Sequence, residues 1–250
     1  MDFAAVARIG IMLVRPGALL LMAPAFAGQT VPALTRVALT VLLAVSLAPV
    51  VAMPTGPDVG IAITIARESA IGLALGITAR ALMSGAELAG HLCSQQIGLS
   101  YAATVNPDGG ARNTMLATLY GLVAAMAWLA INGHHLLFRA LASSYESLPI
   151  GGGSVDPSLL VAIRQILAVV FITGLKLASP VMAVLLLVEV ALGLVSRAAP
   201  ALHAMVIGTP VRLVIGLAVT ALTLAAVPGL TRTLAERMVM LGASLAAGFR

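Results

Sequence analysis

Residues 159–194 read "LLVAIRQILAVVFITGLKLASPVMAVLLLVEVALGL", an apolar run of 36 residues interrupted by Arg164, Lys176, Pro180 and Glu189. About 20 apolar residues, rising ~1.5 Å each, cross the hydrocarbon core of a bilayer. A run this long predicts membrane-spanning helix. Proline lacks an amide donor and clashes with the preceding turn. The stretch is therefore expected to form two elements, broken or kinked near Ser179-Pro180.

The rest of the chain agrees in character. Of 250 residues, 60% are hydrophobic and only 9% charged, with a mean hydropathy of +1.08. Soluble domains carry about 25% charged residues, and a soluble protein this poor in charge would expose large apolar patches. The composition predicts an all-α membrane protein, a single helical membrane domain over residues 1–250 with no separate soluble domain. The net charge is +5, thirteen of the fourteen basic residues are Arg, and they are scattered singly. No Lys/Arg cluster forms a nucleic-acid stripe. The lone Cys93 excludes an intrachain disulfide and any Cys-cluster metal site.

Gly and Pro punctuate the remaining apolar runs. Helices are expected over about 3–26, kinked at Arg15-Pro16; 33–51; 59–83, followed by a stretch of mixed polarity to Tyr101; 115–141; and 202–227. The first is read as a retained helix, although Ala23 to Ala27 mimics a small-residue cleavage site. The segment 231–250 carries Arg232, Glu236 and Arg237 and is expected to be an amphipathic helix. Firm breaks fall at 52–58 and 147–158, where Asp156-Pro157 has the form of a helix start.

Charges sit where a simple bundle would not have them. Arg15, Arg67, Glu68, Lys176, Glu189 and Arg212 all lie well inside apolar segments. Each would cost at least ~2.5–3.5 kcal/mol at a bilayer centre, so six facing lipid would cost on the order of 15 kcal/mol. They must face protein, water or headgroups. Arg67 and Glu68 are adjacent and point about 100° apart, so they do not pair with each other; Lys176 and Glu189 lie about 20 Å apart along a helix. The loops carry one or two Arg each, so the positive-inside rule assigns no orientation. For any one residue the plain reading is snorkelling from a helix end; the sharper reading is that the chain is one wedge of a larger helical assembly whose charges meet partner subunits.

No constellation supports catalysis or a cofactor. His134 and His135 are adjacent and diverge on a helix, whereas zinc-binding histidines sit at i and i+4. "GASLA" at 242–246 outlines a serine turn but ends in Ala246 with no preceding strand. Gly72 and Gly76 form a small-xxx-small pair that favours tight helix contact. Between two apolar stretches lies the polar "TVNPDGGARNT", residues 104–114, which composition alone reads as an aqueous turn.

Three stretches carry a resemblance when read together: "AELAGHLCSQQIGLSYAATVNP" (86–107), "LAINGHHLLFRALASSYESLPIGGG" (129–153) and "VALGLVSRAAPALHAMVIGTPVRLVIGL" (190–217). In order and spacing they resemble the FliR family of flagellar type III export-gate proteins, and the likeness covers nearly the whole chain. The resemblance implies a non-enzymatic structural and gating subunit of the bacterial inner membrane at the flagellar basal body. It implies helical hairpins, with broken helices, in a hetero-oligomeric assembly with FliP-type and FliQ-type subunits, contact with an FlhB-type subunit, exported flagellar proteins in transit and membrane lipid. It places a plug loop on Val105, Asn106, Pro107, Asp108, Gly109, Gly110 and Arg112, with Met115 just beyond. Arg67, Glu68, Glu87, Gln96, Lys176, Glu189 and Arg197 are the expected inter-subunit or buried polar contacts. The sequence departs from the family pattern at Asn106, His91, Ser94, Ala201 and His203, where Asp, Glu, Gly, Gln and Asn are more usual. A small-molecule secondary transporter is the alternative, because broken helices and midplane charges suit that class too.

Overall fold

The structure is a computed structural model and describes residues 3–24, 26, 31–49, 51, 60–99, 114–151, 158–198 and 204–247, with the side chains of 3–9, 158–159, 204–207 and most of 236–247 outside that description. Among the described residues it is all-α. The helices are α1 (Phe3–Met22), α2 (Ala33–Leu47), α3 (Ile61–Ile97), α4 (Met115–Ala130), α5 (Gly133–Ser147), α6 (Ser158–Ala198), α7 (Ala204–Leu224) and α8 (Val227–Ala247). Three stretches are long and apolar enough to cross a membrane: Ile61–Ile97, Leu160–Ala198 and Gly208–Ala235. The pair α4 and α5 qualifies as a fourth, bent by 68° at its break. The breaks expected at 52–58 and Asp156-Pro157 lie outside the described residues.

Three expectations about boundaries are overturned. The run at 159–194 is not two elements but part of one helix, α6, which passes through Pro180. The physical reason lies one residue earlier. Pro180 cannot donate to the carbonyl of Lys176, and Ser179 Oγ donates to that oxygen instead, at 3.0 Å. Hydroxyl substitution of this kind lets apolar helices keep internal prolines. Likewise α3 does not stop at Met83 but continues to Ile97, 37 residues in all. Its polar second half holds no proline, and its glycines fit against neighbouring helices.

The helix expected over 115–141 is in turn broken, at Ile131-Asn132. Asn132 adopts φ 56°, ψ 37°, the left-handed region that Asn tolerates better than most residues. Its carbonyl accepts the His135 amide at 2.9 Å and so starts α5. The following Gly133 lies flat against the buried Trp128 ring, leaving no space for a Cβ. Asn132→Val is expected to lower stability by about 1–2 kcal/mol, and Asn132→Gly to leave it unchanged. Thermal unfolding of the two variants in detergent checks this, and equal melting of Val and wild type would contradict the left-handed assignment.

The chain divides into two compact units. The first comprises Met1–Leu82, Trp128–Ala168 and Thr233–Arg250, and the second Met83–Ala127 and Val169–Arg232. In the first, α1 crosses α3 at backbone contact. A Cβ on Gly72 would strike the Arg15 carbonyl, and one on Gly76 would lie 2.7 Å from Met22 Cβ and 2.8 Å from Leu19 O. The small-xxx-small pair thus serves this crossing. Leu19, Leu20, Ile71, Leu75, Trp128 and Leu141 fill the core around it. In the second unit, α3 packs against α4 at Gly90 and against α6 at Gly85 and Gly174. There the buried hydroxyls of Tyr120 and Thr223 hydrogen-bond α4 to α7.

Candidate functional site

Two polar arrangements interrupt this apolar interior, one in each unit. In the first unit Arg15 of α1 is fully buried and Glu68 of α3 is 1% exposed. Arg15 Nε donates to Glu68 Oε2 at 2.8 Å and Nη2 to Oε1 at 3.0 Å. Such bidentate pairs are the strong class of ionic hydrogen bond. Arg15 also donates from Nη1 to Ser144 Oγ and from Nη2 to the Leu148 carbonyl, each at 3.1 Å. Its guanidinium lies 4.1 Å from the centre of the Tyr145 ring. The neighbouring charge diverges, as helix geometry requires. Arg67 Nη1 reaches the Gly151 carbonyl at 3.2 Å, while the Gly151 amide approaches Glu68 Oε1 at 3.4 Å.

These contacts say what the "SLPIG" stretch (147–151) does. Its backbone turns back over α3, with Gly151 at φ +76°, and presents two carbonyls and an amide to Arg15, Arg67 and Glu68. A buried carboxylate and guanidinium are tolerated only when paired and fully hydrogen-bonded. Here α1, α3, α5 and the turn after α5 all contribute. Sequence reasoning identified Arg15 and Glu68 as charges in need of partners. It did not find each as the partner of the other, because they stand 53 positions apart.

The second arrangement brackets the polar loop. Val105, Asn106, Pro107, Asp108, Gly109, Gly110 and Arg112 lie outside the described residues, which resume at Thr114. Each flank is a capped helix end. At the end of α3, Gly98 takes φ +94°, with Leu99 N donating to Ser94 O at 3.0 Å and Gly98 N to Gln95 O at 3.2 Å. This is a Schellman ending, which needs a left-handed residue just past the helix. At the start of α4, Thr114 Oγ1 accepts the Ala117 amide at 3.3 Å, a standard N-cap. The buried Ser94 hydroxyl then donates to Thr114 Oγ1 at 2.9 Å, and His91 Nδ1 stands 3.5 Å from the same oxygen. So Ser94 and His91, two of the departures from the family pattern, meet at one hydroxyl. Met115, the first residue of α4, is 85% exposed.

The other expected polar residues are not gathered into one place. Glu87 is half-buried and lies over Gly121, where a Cβ would come within 3.0 Å of its Cγ. Gln96 is half-buried on the last turn of α3, and Arg197 is exposed on the last turn of α6. Glu189 meets Arg212 at 3.5 Å with both side chains about 40% exposed, so its partner is not Lys176, which is exposed on α6. His134 stacks edge-on against His135 and Phe138. Among the described residues no three His, Cys, Asp or Glu side chains come together in a way that could hold a metal ion.

Comparison with known proteins decides what this scaffold belongs to. Residues 6–238 match the family described as "Bacterial export proteins, family 1". The chain is 32% identical over 214 residues to the flagellar biosynthetic protein FliR of Escherichia coli K12, covering 84% of this chain and 81% of the relative. It belongs to the FliR family. The FliR of Caulobacter vibrioides is 31% identical over 222 residues, 87% of this chain and 88% of its own. That of Bacillus subtilis is 26% identical over 210 residues, 82% and 81%. FliR-family proteins are structural components of flagellar export and not enzymes. Together with membrane-length helices, this makes the chain an all-α membrane protein of flagellar biosynthesis. Between the two readings left by the residues, it favours export over small-molecule transport.

Proposed function

We propose that the chain is a structural and gating subunit of the flagellar type III export gate. It would sit in the bacterial inner membrane at the basal body and form a protein-conducting path with FliP-type and FliQ-type subunits, in contact with an FlhB-type subunit. The observation that carries this reading is the match over residues 6–238 to an export family. A physical feature supports the assembly. The most apolar window of α6 is only 17% buried within the chain, although the helix bears Arg164, Lys176, Glu189 and Arg197. Such a surface suits neighbouring protein better than lipid alone. In this reading Arg67, Glu87 and Gln96 of α3 and Lys176, Glu189 and Arg197 of α6 are polar contacts of the assembly, and Glu68 holds the interior.

The residues Val105 to Gly110, Arg112 and Met115 form the plug in this reading. Support comes from their flanks: the Ser94–Thr114 hydrogen bond holds the two ends of the segment together, as a movable obstruction on a rigid base requires. Two experiments test the proposal. The chain should co-purify with its FliP-type and FliQ-type partners at fixed ratio, and a clean, stable monomer would overturn the assembly. Deleting Asn106–Gly110 should raise the resting ion conductance of the assembled gate at least tenfold, and an unchanged conductance would remove the plug assignment.

A further inference from the structure

Lys176 is the sole lysine of the chain, and its surroundings are unlike those of the other interior charges. Arg15 and Glu68 pair with each other, Arg67 with a carbonyl, and Glu189 with Arg212. Among the described residues no carboxylate lies within ion-pair range of Lys176. The side chain is exposed on α6, one turn from Ile172 and next to Leu175, themselves 53% and 55% exposed. The opposite stripe of the helix, Leu177, Ala178, Val181 and Leu185, is buried in the second unit. Lys176 therefore points outward from an apolar face.

It lies far from either end of the apolar run. The nearest charged residues along α6 are Arg164 and Glu189, about 18 Å and 20 Å away by helix rise. Any 20-residue stretch of α6 free of both Arg164 and Glu189 contains Lys176. Snorkelling serves lysines at the ends of apolar segments, and this one has more than two apolar turns on each side. Ionisable residues in such positions pair with one another or face a polar cavity. We propose that the Lys176 face of α6 is a docking surface for an apolar helix of a partner subunit that carries an Asp or Glu, and that Lys176 forms an inter-chain ion pair with that carboxylate. This rests on the assembly proposed above and names the chemistry of one contact within it.

Charge exchange in the native host tests it. Lys176→Met and Lys176→Glu should each reduce flagellar export at least tenfold with the chain still present in membranes, and Lys176→Arg should retain it. Revertants of K176E should include acidic-to-basic changes within an apolar helix of another membrane subunit. Wild-type export by K176M, as expected if lipid covers this face, would overturn the proposal, as would revertants that never alter an acidic residue of another chain. If K176E fails to accumulate, the contact is read from Lys176→Cys in a Cys93→Ser background. It is combined with cysteines at acidic positions in the apolar segments of co-expressed FliP-type and FliQ-type subunits. A disulfide-linked heterodimer in intact membranes supports the pair. A homodimer alone, or no cross-link, overturns it. Throughout, co-purification of the wild-type chain with those subunits is scored separately, so loss of this contact is distinguished from loss of the assembly.

Discussion

Glu68→Ala will leave the Arg15 guanidinium buried with no counter-charge, and Arg15→Ala will strand the Glu68 carboxylate. Each is expected to cost about 3–5 kcal/mol, the usual penalty for breaking a buried pair from one side. The loss should appear as a lower midpoint of unfolding in detergent and a reduced level of chain in membranes. The double variant Arg15→Met with Glu68→Leu should recover much of what either single change loses, because two apolar side chains strand no charge. This non-additivity separates the ionic contribution from simple packing. If E68A cost less than about 0.5 kcal/mol, as ordinary surface changes do, the pair could not be holding α1, α3 and α5 together.

Gly90→Ala is the second large effect. A Cβ there would fall 2.5 Å from Ala117 Cα and 2.6 Å from both Ala117 N and Leu116 O. All three are main-chain atoms, so no rotamer change relieves the clash, and the first turn of α4 must move off α3. Overpacking of this kind costs about 1–3 kcal/mol. The displacement also pulls Thr114 away from Ser94, so export in vivo should fall along with stability. Gly10→Ala, where a Cβ would meet nothing within 4 Å, is the matched control. Identical melting of G90A and G10A would show that α3 and α4 do not approach as described.

Much of the scaffold was readable from residue types because membrane-length apolar runs are a strong local signal. The class of the fold, the start of α2 at Ala33 and the use of Gly72 and Gly76 for close packing all follow from it. The boundary errors have specific causes. Proline removes a hydrogen bond and so predicts a break or kink at Pro180, yet Ser179 beside it supplies a substitute. The real break comes at Ile131-Asn132, where Asn132 and Gly133 form a turn dipeptide with apolar residues on both sides. Polar side chains after Met83 suggested a change of element, but they sit on one helix whose faces meet different neighbours. The polar interior was only half legible. Single charges in apolar runs announced that partners were required, whereas the pairing of Arg15 with Glu68, and of Ser94 with Thr114, depends on which helices meet, and no local pattern encodes that.

The tie between Ser94 and Thr114 has a consequence for how this chain can vary. One threonine hydroxyl caps α4 and receives the serine of α3, so the ends of the intervening segment are set by the helices and not by the segment itself. Lengthening a connection between fixed ends costs little, about 0.6 kcal/mol per doubling. Residues 100–113 can therefore gain, lose or exchange residues without straining the packing on either side. That stretch can change in length or composition while the helices that carry it stay as they are.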